Sequence, residues 1–167
     1  MGNYPGVTVD KKYGTFKLER QTVDVVDLPG TYSIHPKTED ERVVQDYLTG
    51  DTSPDVVVVI ADAANLHRNL LLFTQVYDLK IPIILVLNRI DLTNDQDIST
   101  EKLSLLLGGI PVIPLNAREG NIEPLKAAIS SFKNNDTWQP FYQSENGVDY
   151  LKETEARHQK IDKLLKF

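Results

Sequence analysis

Three short and almost wholly apolar runs set the fold class of this chain. They are DVVVVIAD at residues 55–62, IPIILVLN at 81–88 and IPVIPLNA at 110–117. Runs of this length and β-branched content are typical of strands buried on both faces, which occur in parallel sheets covered by helices. Segments of helical character alternate with the runs, at residues 69–79, 99–107 and 122–132. The alternation predicts an α/β fold with a doubly wound, mostly parallel sheet.

The two ends of the chain add further elements. Residues 6–30 alternate apolar and polar side chains, which predicts a hairpin that supplies an antiparallel edge strand. Residues 37–48 are acidic at the start and apolar later, which predicts a loop leading into a short helix. From about residue 134 the sequence turns polar and predicts a linker or a covering arm. Apolar residues at helical spacing in 150–167 predict a C-terminal amphipathic helix.

Composition limits the classes of function. A length of 167 residues with 41% hydrophobic residues suits one domain with a small appendage. A net charge of −6 argues against a protein that mainly coats nucleic acid, but local fields still allow a small phosphorylated ligand. With no cysteine, a disulfide framework and a thiolate metal site are both excluded. No apolar run of membrane-spanning length and no secretory signal are present, so we expect a cytoplasmic location.

Polar residues follow the predicted strands where each strand ends. Ligands of open α/β sheets bind beyond the carboxyl ends of the strands, so these residues are candidates for a site. Each motif alone is ambiguous, because DxxG is a common turn, Asn-x-x-Asp is often a helix cap, and Asn-Ala carries little information. Their order along successive strands favours a shared ligand. The motifs are Asp27-x-x-Gly30, Asn88-x-x-Asp91 and Asn116-Ala117-Arg118.

This ordered set resembles the guanine-nucleotide-binding domains of Ras-like GTPases, in which N-[KR]-x-D recognises guanine. The resemblance implies that Asp91 accepts hydrogen bonds from the guanine ring N–H and its amine, which adenine would leave unpaired. It also implies that Asn88 supports the base and the neighbouring loops, that the stem of Arg89 packs on the purine, and that the backbone N–H of Ala117 meets the guanine oxygen. The implied nucleotide-binding residues are Asp27, Leu28, Pro29, Gly30, Asn88, Arg89, Asp91, Asn116, Ala117 and Arg118.

The DLPG stretch has a role of its own in this resemblance. Asp27 would lie near Mg²⁺, and the backbone N–H of Gly30 would meet the γ-phosphate, which a residue without Cβ allows to approach. The loop would then order with GTP and relax with GDP. Thr31 stands where Ras-like enzymes carry a glutamine that orients water, so slow intrinsic hydrolysis is expected.

Longer stretches narrow the resemblance to one family. GNYPGVTVDKKYG, VDLPGTYSI, DAANLHRNLLL and IPIILVLNRIDL are similar to the G domain of bacterial ferrous iron transport protein B, a TrmE-Era-type GTPase, over residues 2 to about 132. The resemblance implies a catalytic switch residue, Thr8, that contacts Mg²⁺ and the γ-phosphate together with Gly30. It implies that the carbonyl groups of Gly2 and Tyr4 hold K⁺, although the stretch alone would predict an ordinary turn. GTP or GDP, Mg²⁺ and K⁺ are the implied cofactors.

The chain departs from the family pattern in one respect. Its 167 residues contain no GxxxxGK[ST] phosphate-binding loop, which the family places before the GN[YW]PG motif. We therefore expect residues 1–133 to form a GTP-binding domain without its first strand and P-loop, and residues 134–167 to be a linker and helix similar to the stretch before the family's membrane part.

Two functions remain open at this point. One is a GTPase domain that regulates Fe(II) uptake through the membrane permease portion of the same transporter, at the cytoplasmic face of the bacterial inner membrane. The other is a non-catalytic remnant that acts as an interaction module or is inactive. The first predicts guanine nucleotide and the permease as partners and no nucleic acid, and homo-oligomerisation is compatible with both.

Overall fold

A computed structural model describes residues 11–90, 99–132, 138–143 and 149–166. It divides into two compact units, the first ending at Ser53 and the second beginning at Pro54. The first unit contains β1 (Lys12–Leu18), β2 (Gln21–Asp27) and α1 (Glu39–Thr49). The second contains β3 (Val57–Asp62), a 3₁₀ helix (Ala63–Asn65), α2 (Leu66–Tyr77), β4 (Ile83–Asn88), α3 (Thr100–Leu106), β5 (Val112–Leu115), α4 (Glu123–Ser130) and α5 (Tyr150–Leu165).

The first unit is a hairpin followed by a capped helix. Strands β1 and β2 pair antiparallel in a register from Lys12 opposite Asp27 to Leu18 opposite Gln21. They form a two-stranded sheet of their own, which realises the predicted hairpin. Helix α1 begins at Thr38, whose hydroxyl accepts a hydrogen bond from the backbone N–H of Glu41 at 3.3 Å. Such a cap satisfies one of the four unpaired N–H groups that open every helix.

The second unit is built on a parallel sheet of order β3-β4-β5. In the central strand β4, the residues Ile83 to Leu87 are all buried, as the continuous apolar run predicted. The edge strand β5 accommodates Pro114, because a proline lacks the N–H that a central strand would need. Helices α2 and α3 pack against the sheet, and α5 packs against α2. The α/β class, the parallel sheet, the antiparallel pair and the C-terminal helix are therefore confirmed.

Several boundaries differ from the sequence prediction. Helix α2 begins at Leu66 rather than at residue 69, because a 3₁₀ helix capped by Asp62 leads directly into it. Strand β5 is confined to Val112–Leu115, within the predicted run 110–117. Helix α3 is capped by Ser99, whose hydroxyl accepts from the N–H of Lys102 at 3.1 Å.

The end of α3 shows why two glycines follow it. Gly108 and Gly109 have φ angles of 79° and 82°, the left-handed conformation that ends helices and that favours glycine. A Cβ on Gly108 would lie 2.9 Å from the hydroxyl of Tyr77, so packing against α2 adds a second reason for glycine there.

Residues 138–143 lie against the end of α2. The indole N–H of Trp138 donates to the carbonyl oxygen of Tyr77 at 3.0 Å. The carboxylate of Asp78 accepts from the backbone N–H groups of Phe141 at 2.6 Å and Tyr142 at 3.1 Å. This short segment therefore gains from α2 the hydrogen bonds that it lacks internally.

A buried arginine joins this segment to α5. Arg157 is only 4% exposed. Its Nη1 lies 2.7 Å from Asp78, its Nε lies 2.9 Å from Glu153, and its guanidinium lies 5.1 Å from the ring centroid of Tyr142. A buried charge is tolerated only when it is paired in this way, so the pairing fixes α5 on α2.

The Arg157 network predicts a stability defect for Arg157→Lys. A lysine keeps the charge but cannot bond two carboxylates in the fixed geometry of a guanidinium. We expect the free energy of unfolding to fall by about 2 kcal/mol, the contribution of one hydrogen bond to a charged group. The midpoint of thermal unfolding should fall by roughly 4–8 °C for a chain of this size.

The matched control is Arg42→Lys. Arg42 lies 3.9 Å from Glu39, and both side chains are largely exposed. Exposed pairs contribute little, so this change should leave the midpoint almost unmoved. Equal midpoints for the Arg157 and Arg42 variants would show that the buried network does not stabilise the fold.

No helix in the described part of the chain combines the length and the apolar character that a membrane crossing requires.

Candidate functional site

The carboxyl ends of the three parallel strands meet at one edge of the sheet. The strand register sets Asp62 opposite Asn88, and Asn88 opposite Leu115. Asn88 therefore lies at this edge beside Leu115, the residue that precedes Asn116. This is the edge at which open α/β sheets bind ligands.

Asn88 ties the end of β4 to the loop after β5. Its Oδ1 accepts from the backbone N–H of Arg89 at 2.9 Å and from that of Ala117 at 3.0 Å. Arg89 has a φ angle of 61°, which is uncommon for a residue other than glycine. The resemblance assigned the N–H of Ala117 to a guanine oxygen, whereas here that N–H donates to Asn88.

Asp62 ties the end of β3 to the residue after β4. Its Oδ1 accepts from the N–H of Ala64 at 3.1 Å. Its Oδ2 accepts from Nδ2 of Asn65 at 2.9 Å and from Nη1 of Arg89 at 3.1 Å. The hydrogen bond from Asn65 does most to hold the pKa of Asp62 below its usual value, and the Ala64 N–H and the Arg89 charge act in the same direction against desolvation.

Asp62 closes the apolar run at residues 55–62 but belongs to none of the motifs that the sequence analysis selected. Its partner Arg89 is 27 positions away in sequence, so the pairing depends on the strand register. The local signal was the stretch Asp62-Ala63-Ala64-Asn65, in which an aspartate precedes a short helix and can cap it.

Asn116 shapes the loop after β5. Its Oδ1 accepts from the N–H of Arg118 at 3.2 Å, and its Nδ2 donates to Glu119 at 2.8 Å. The carbonyl group of Asn116 also accepts from the N–H of Glu119 at 3.1 Å. This closed turn presents Ala117 and Arg118 as exposed residues.

In the first unit, the DLPG stretch follows β2 directly. Asp27 and Gly30 are exposed, while Leu28 and Pro29 are half-buried. A Cβ on Gly30 would meet no described atom within 4 Å, so packing within the described structure does not require glycine there. The hydroxyl of Thr31 donates to the carbonyl oxygen of Ser33 at 2.7 Å, which holds it in a local turn.

Some predicted site residues lie outside the described ranges. They are Gly2, Tyr4, Thr8 and Asp91. Within the described ranges, no three His, Cys, Asp or Glu side chains converge as a metal-binding cluster. A metal ion at Asp27 would therefore need further oxygen atoms to bind it, either from other parts of the chain or from a bound small molecule.

The chain is an α/β domain whose polar strand ends lie at the carboxyl edge of its parallel sheet, the edge at which folds of this class bind ligands. The family profile of ferrous iron transport protein B matches residues 1–129, and the chain belongs to this family. The Fe(2+) transporter FeoB of Escherichia coli (strain K12) is 44% identical over 144 residues, which is 81% of this chain and 18% of the transporter. The chain thus spans less than a fifth of the length of that relative.

Two solved structures are similar in sequence and in fold. The FeoB G domain from Methanococcus jannaschii is 41% identical with a TM-score of 0.67, covering 73% of this chain and 79% of that one. The cytosolic domain of the T. maritima FeoB iron transporter in a GDP form is 32% identical with a TM-score of 0.73, covering 86% of this chain and 57% of that one.

Proposed function

We propose that this chain is the guanine-nucleotide-binding domain of a ferrous iron transporter, which binds GTP and GDP and hydrolyses GTP to regulate Fe(II) uptake. The observation that carries the proposal is the tie from Asn88 to Ala117, which joins the N-R-I-D motif to the Asn-Ala loop. This hydrogen bond places Asn88 and Ala117, 29 positions apart in sequence, side by side where one base would contact both. The solved G domain and the GDP form of related proteins support the same function.

The second unit supplies the base-recognition residues in this proposal. Asp91 accepts from the guanine ring N–H and amine, and Arg89 lays its stem on the purine face. Asn88 joins the two loops by accepting a hydrogen bond from the N–H of Ala117, which the guanine oxygen would have to share or displace. Asn116 and Arg118 shape the loop around the base.

The family resemblance assigns the phosphate and metal roles to the DLPG stretch and to residues 2–8. Asp27 presents an exposed carboxylate, a hard oxygen ligand of the kind that Mg²⁺ prefers, so it fits a magnesium ion bound directly or through water. Thr8 completes this set, and the carbonyl groups of Gly2 and Tyr4 fit the weakly hydrated K⁺. Gly30 would offer its N–H to the γ-phosphate, since no atom of the described residues lies within 4 Å of the place that a Cβ would take.

In the whole transporter, the nucleotide state would be passed to the membrane permease portion at the cytoplasmic face of the bacterial inner membrane. Residues 134–167 would form the connection, since α5 is fixed on α2 by Arg157. A permease that follows α5 would then respond to movements of α2.

A second candidate is a non-catalytic domain that serves as an interaction module. The observation in its favour is that the N–H of Ala117, the donor expected at the guanine oxygen, donates to Asn88. The two candidates differ in one measurable property, which is GTP turnover when a phosphate loop is supplied.

Thr8→Ala tests the proposed catalysis. The parent is this chain extended at its N-terminus by the phosphate-loop segment of a FeoB relative. We expect the change to slow phosphate release from GTP at least about tenfold while sparing GDP affinity, because GDP lacks the γ-phosphate that this hydroxyl recognises. Phosphate release and a GDP titration are measured on the same samples.

Thr22→Ala is the matched control, since Thr22 is an exposed hydroxyl residue on β2 away from the DLPG stretch. It should leave turnover unchanged. No GTP hydrolysis in the extended parent would favour the interaction module, and equal turnover in all three proteins would remove Thr8 from the catalytic set.

A further inference from the structure

We propose that Asp62 is a positioning residue of the guanine site, which holds the guanidinium of Arg89 so that the stem of Arg89 is set in place before the base arrives. The inference rests on the proposed function. It adds a residue from β3 to a site otherwise built from the ends of β4 and β5.

The carboxylate of Asp62 is held in place by two hydrogen bonds that do not involve Arg89. The N–H of Ala64 holds one oxygen at 3.1 Å, and Nδ2 of Asn65 holds the other at 2.9 Å. Both donors follow Asp62 in the 3₁₀ helix, so the strand end and the helix start orient the carboxylate together. Arg89 therefore meets an acceptor whose position is already determined.

Arg89 is fixed at both of its ends. Its backbone is held in the left-handed conformation with its N–H on Asn88, and its Nη1 lies 3.1 Å from Asp62. The aliphatic stem lies between these two anchors. A long side chain loses rotamer freedom when it packs on a ligand, and a side chain ordered beforehand avoids that cost.

A purely structural role would give a different pattern of effects. The side chain of Arg89 is 46% exposed and that of Asp62 is 25% exposed. Ion pairs with this much solvent around them add little to fold stability. The pair should therefore be visible in ligand affinity and not in the midpoint of thermal unfolding.

The test is a double-mutant cycle with Asp62→Asn, Arg89→Ala and the combined variant. Asparagine keeps an oxygen for the N–H of Ala64 but loses the negative charge that holds the guanidinium. GDP and ADP are titrated by NMR against each 167-residue chain, and thermal midpoints are measured in parallel. Asp55→Asn is the charge-matched control, because Asp55 is exposed and precedes the opposite end of β3.

We expect Asp62→Asn to weaken GDP binding by about two- to fivefold, as for a partly exposed ion pair. In the Arg89→Ala background the same change should have no effect, because the group that it positions is gone. The thermal midpoint of Asp62→Asn should equal that of the parent. The Asp55→Asn control should match the parent in both GDP affinity and thermal midpoint.

Other results would contradict either the positioning role or the proposed function, and the two cases can be told apart. An equal loss from Asp62→Asn with and without Arg89, or an unchanged affinity for GDP, would overturn the positioning role and leave the proposed function standing. A parent chain with no preference for GDP over ADP would instead overturn the proposed function, and the inference with it.

Discussion

The 167-residue chain should bind GDP in the presence of Mg²⁺ at least about a thousandfold more weakly than the same chain extended by a segment that carries GxxxxGK[ST]. A thousandfold change in affinity corresponds to about 4 kcal/mol. The expectation follows from the proposed function, in which the residues of these 167 positions serve mainly to recognise the base.

The phosphates account for this large difference. In nucleotide sites of this kind, the backbone N–H groups of a glycine-rich loop and one lysine surround the β-phosphate. In the proposed site Asn88 and Asp91 would serve only the base, and Asp27 is itself negatively charged. The net charge of −6 adds no general attraction for a polyanion.

Calorimetry with GDP and Mg²⁺ on both proteins measures the difference. The matched control is the extended chain with the motif lysine changed to alanine. Its GDP affinity should lie between those of the other two proteins, because the loop N–H groups remain. Sub-micromolar binding by the 167 residues alone would show that the phosphates find another cradle, such as one supplied by a second copy of the chain.

The class of fold was predictable because it depends on local patterns. The apolar run of β4 predicted a strand buried on both faces, and all of Ile83 to Leu87 are buried. The end of α3 also depends on local sequence, since Gly108 and Gly109 adopt the left-handed conformation that ends helices and favours glycine. The strand ends were predictable for the same reason, because a polar residue after an apolar run marks the edge of the sheet.

The contacts between strand ends were not predictable, because they depend on the register of the sheet. Asp62 meets Arg89 across 27 positions, and Asn88 meets Ala117 across 29. The amphipathic pattern of α5 likewise gave no sign that Arg157 on the same helix would be buried against Asp78. Hydropathy places an arginine in solvent, and only the paired carboxylates make its burial favourable.

The N-R-I-D motif predicts a large effect of one substitution on nucleotide affinity. Asp91→Asn in the extended chain should weaken GDP binding by roughly a hundredfold or more, because a buried site built to pair two guanine donors discriminates strongly against a broken pair. The asparagine amide would face the guanine amine with a donor of its own. Xanthine carries an oxygen at that position, so the same variant should gain affinity for xanthosine diphosphate.

Competitive titration of both diphosphates against parent and variant measures the exchange of preference. Asp55→Asn again provides the charge-matched control, and it should retain the guanine preference of the parent because Asp55 lies before β3, away from the carboxyl edge of the sheet. The preference changes only if the asparagine donates a hydrogen bond where the aspartate accepted one. A general loss of stability would instead lower the affinity for both diphosphates alike. Unchanged guanine affinity in Asp91→Asn would therefore remove Asp91 from the site, and with it the base-recognition role of the motif.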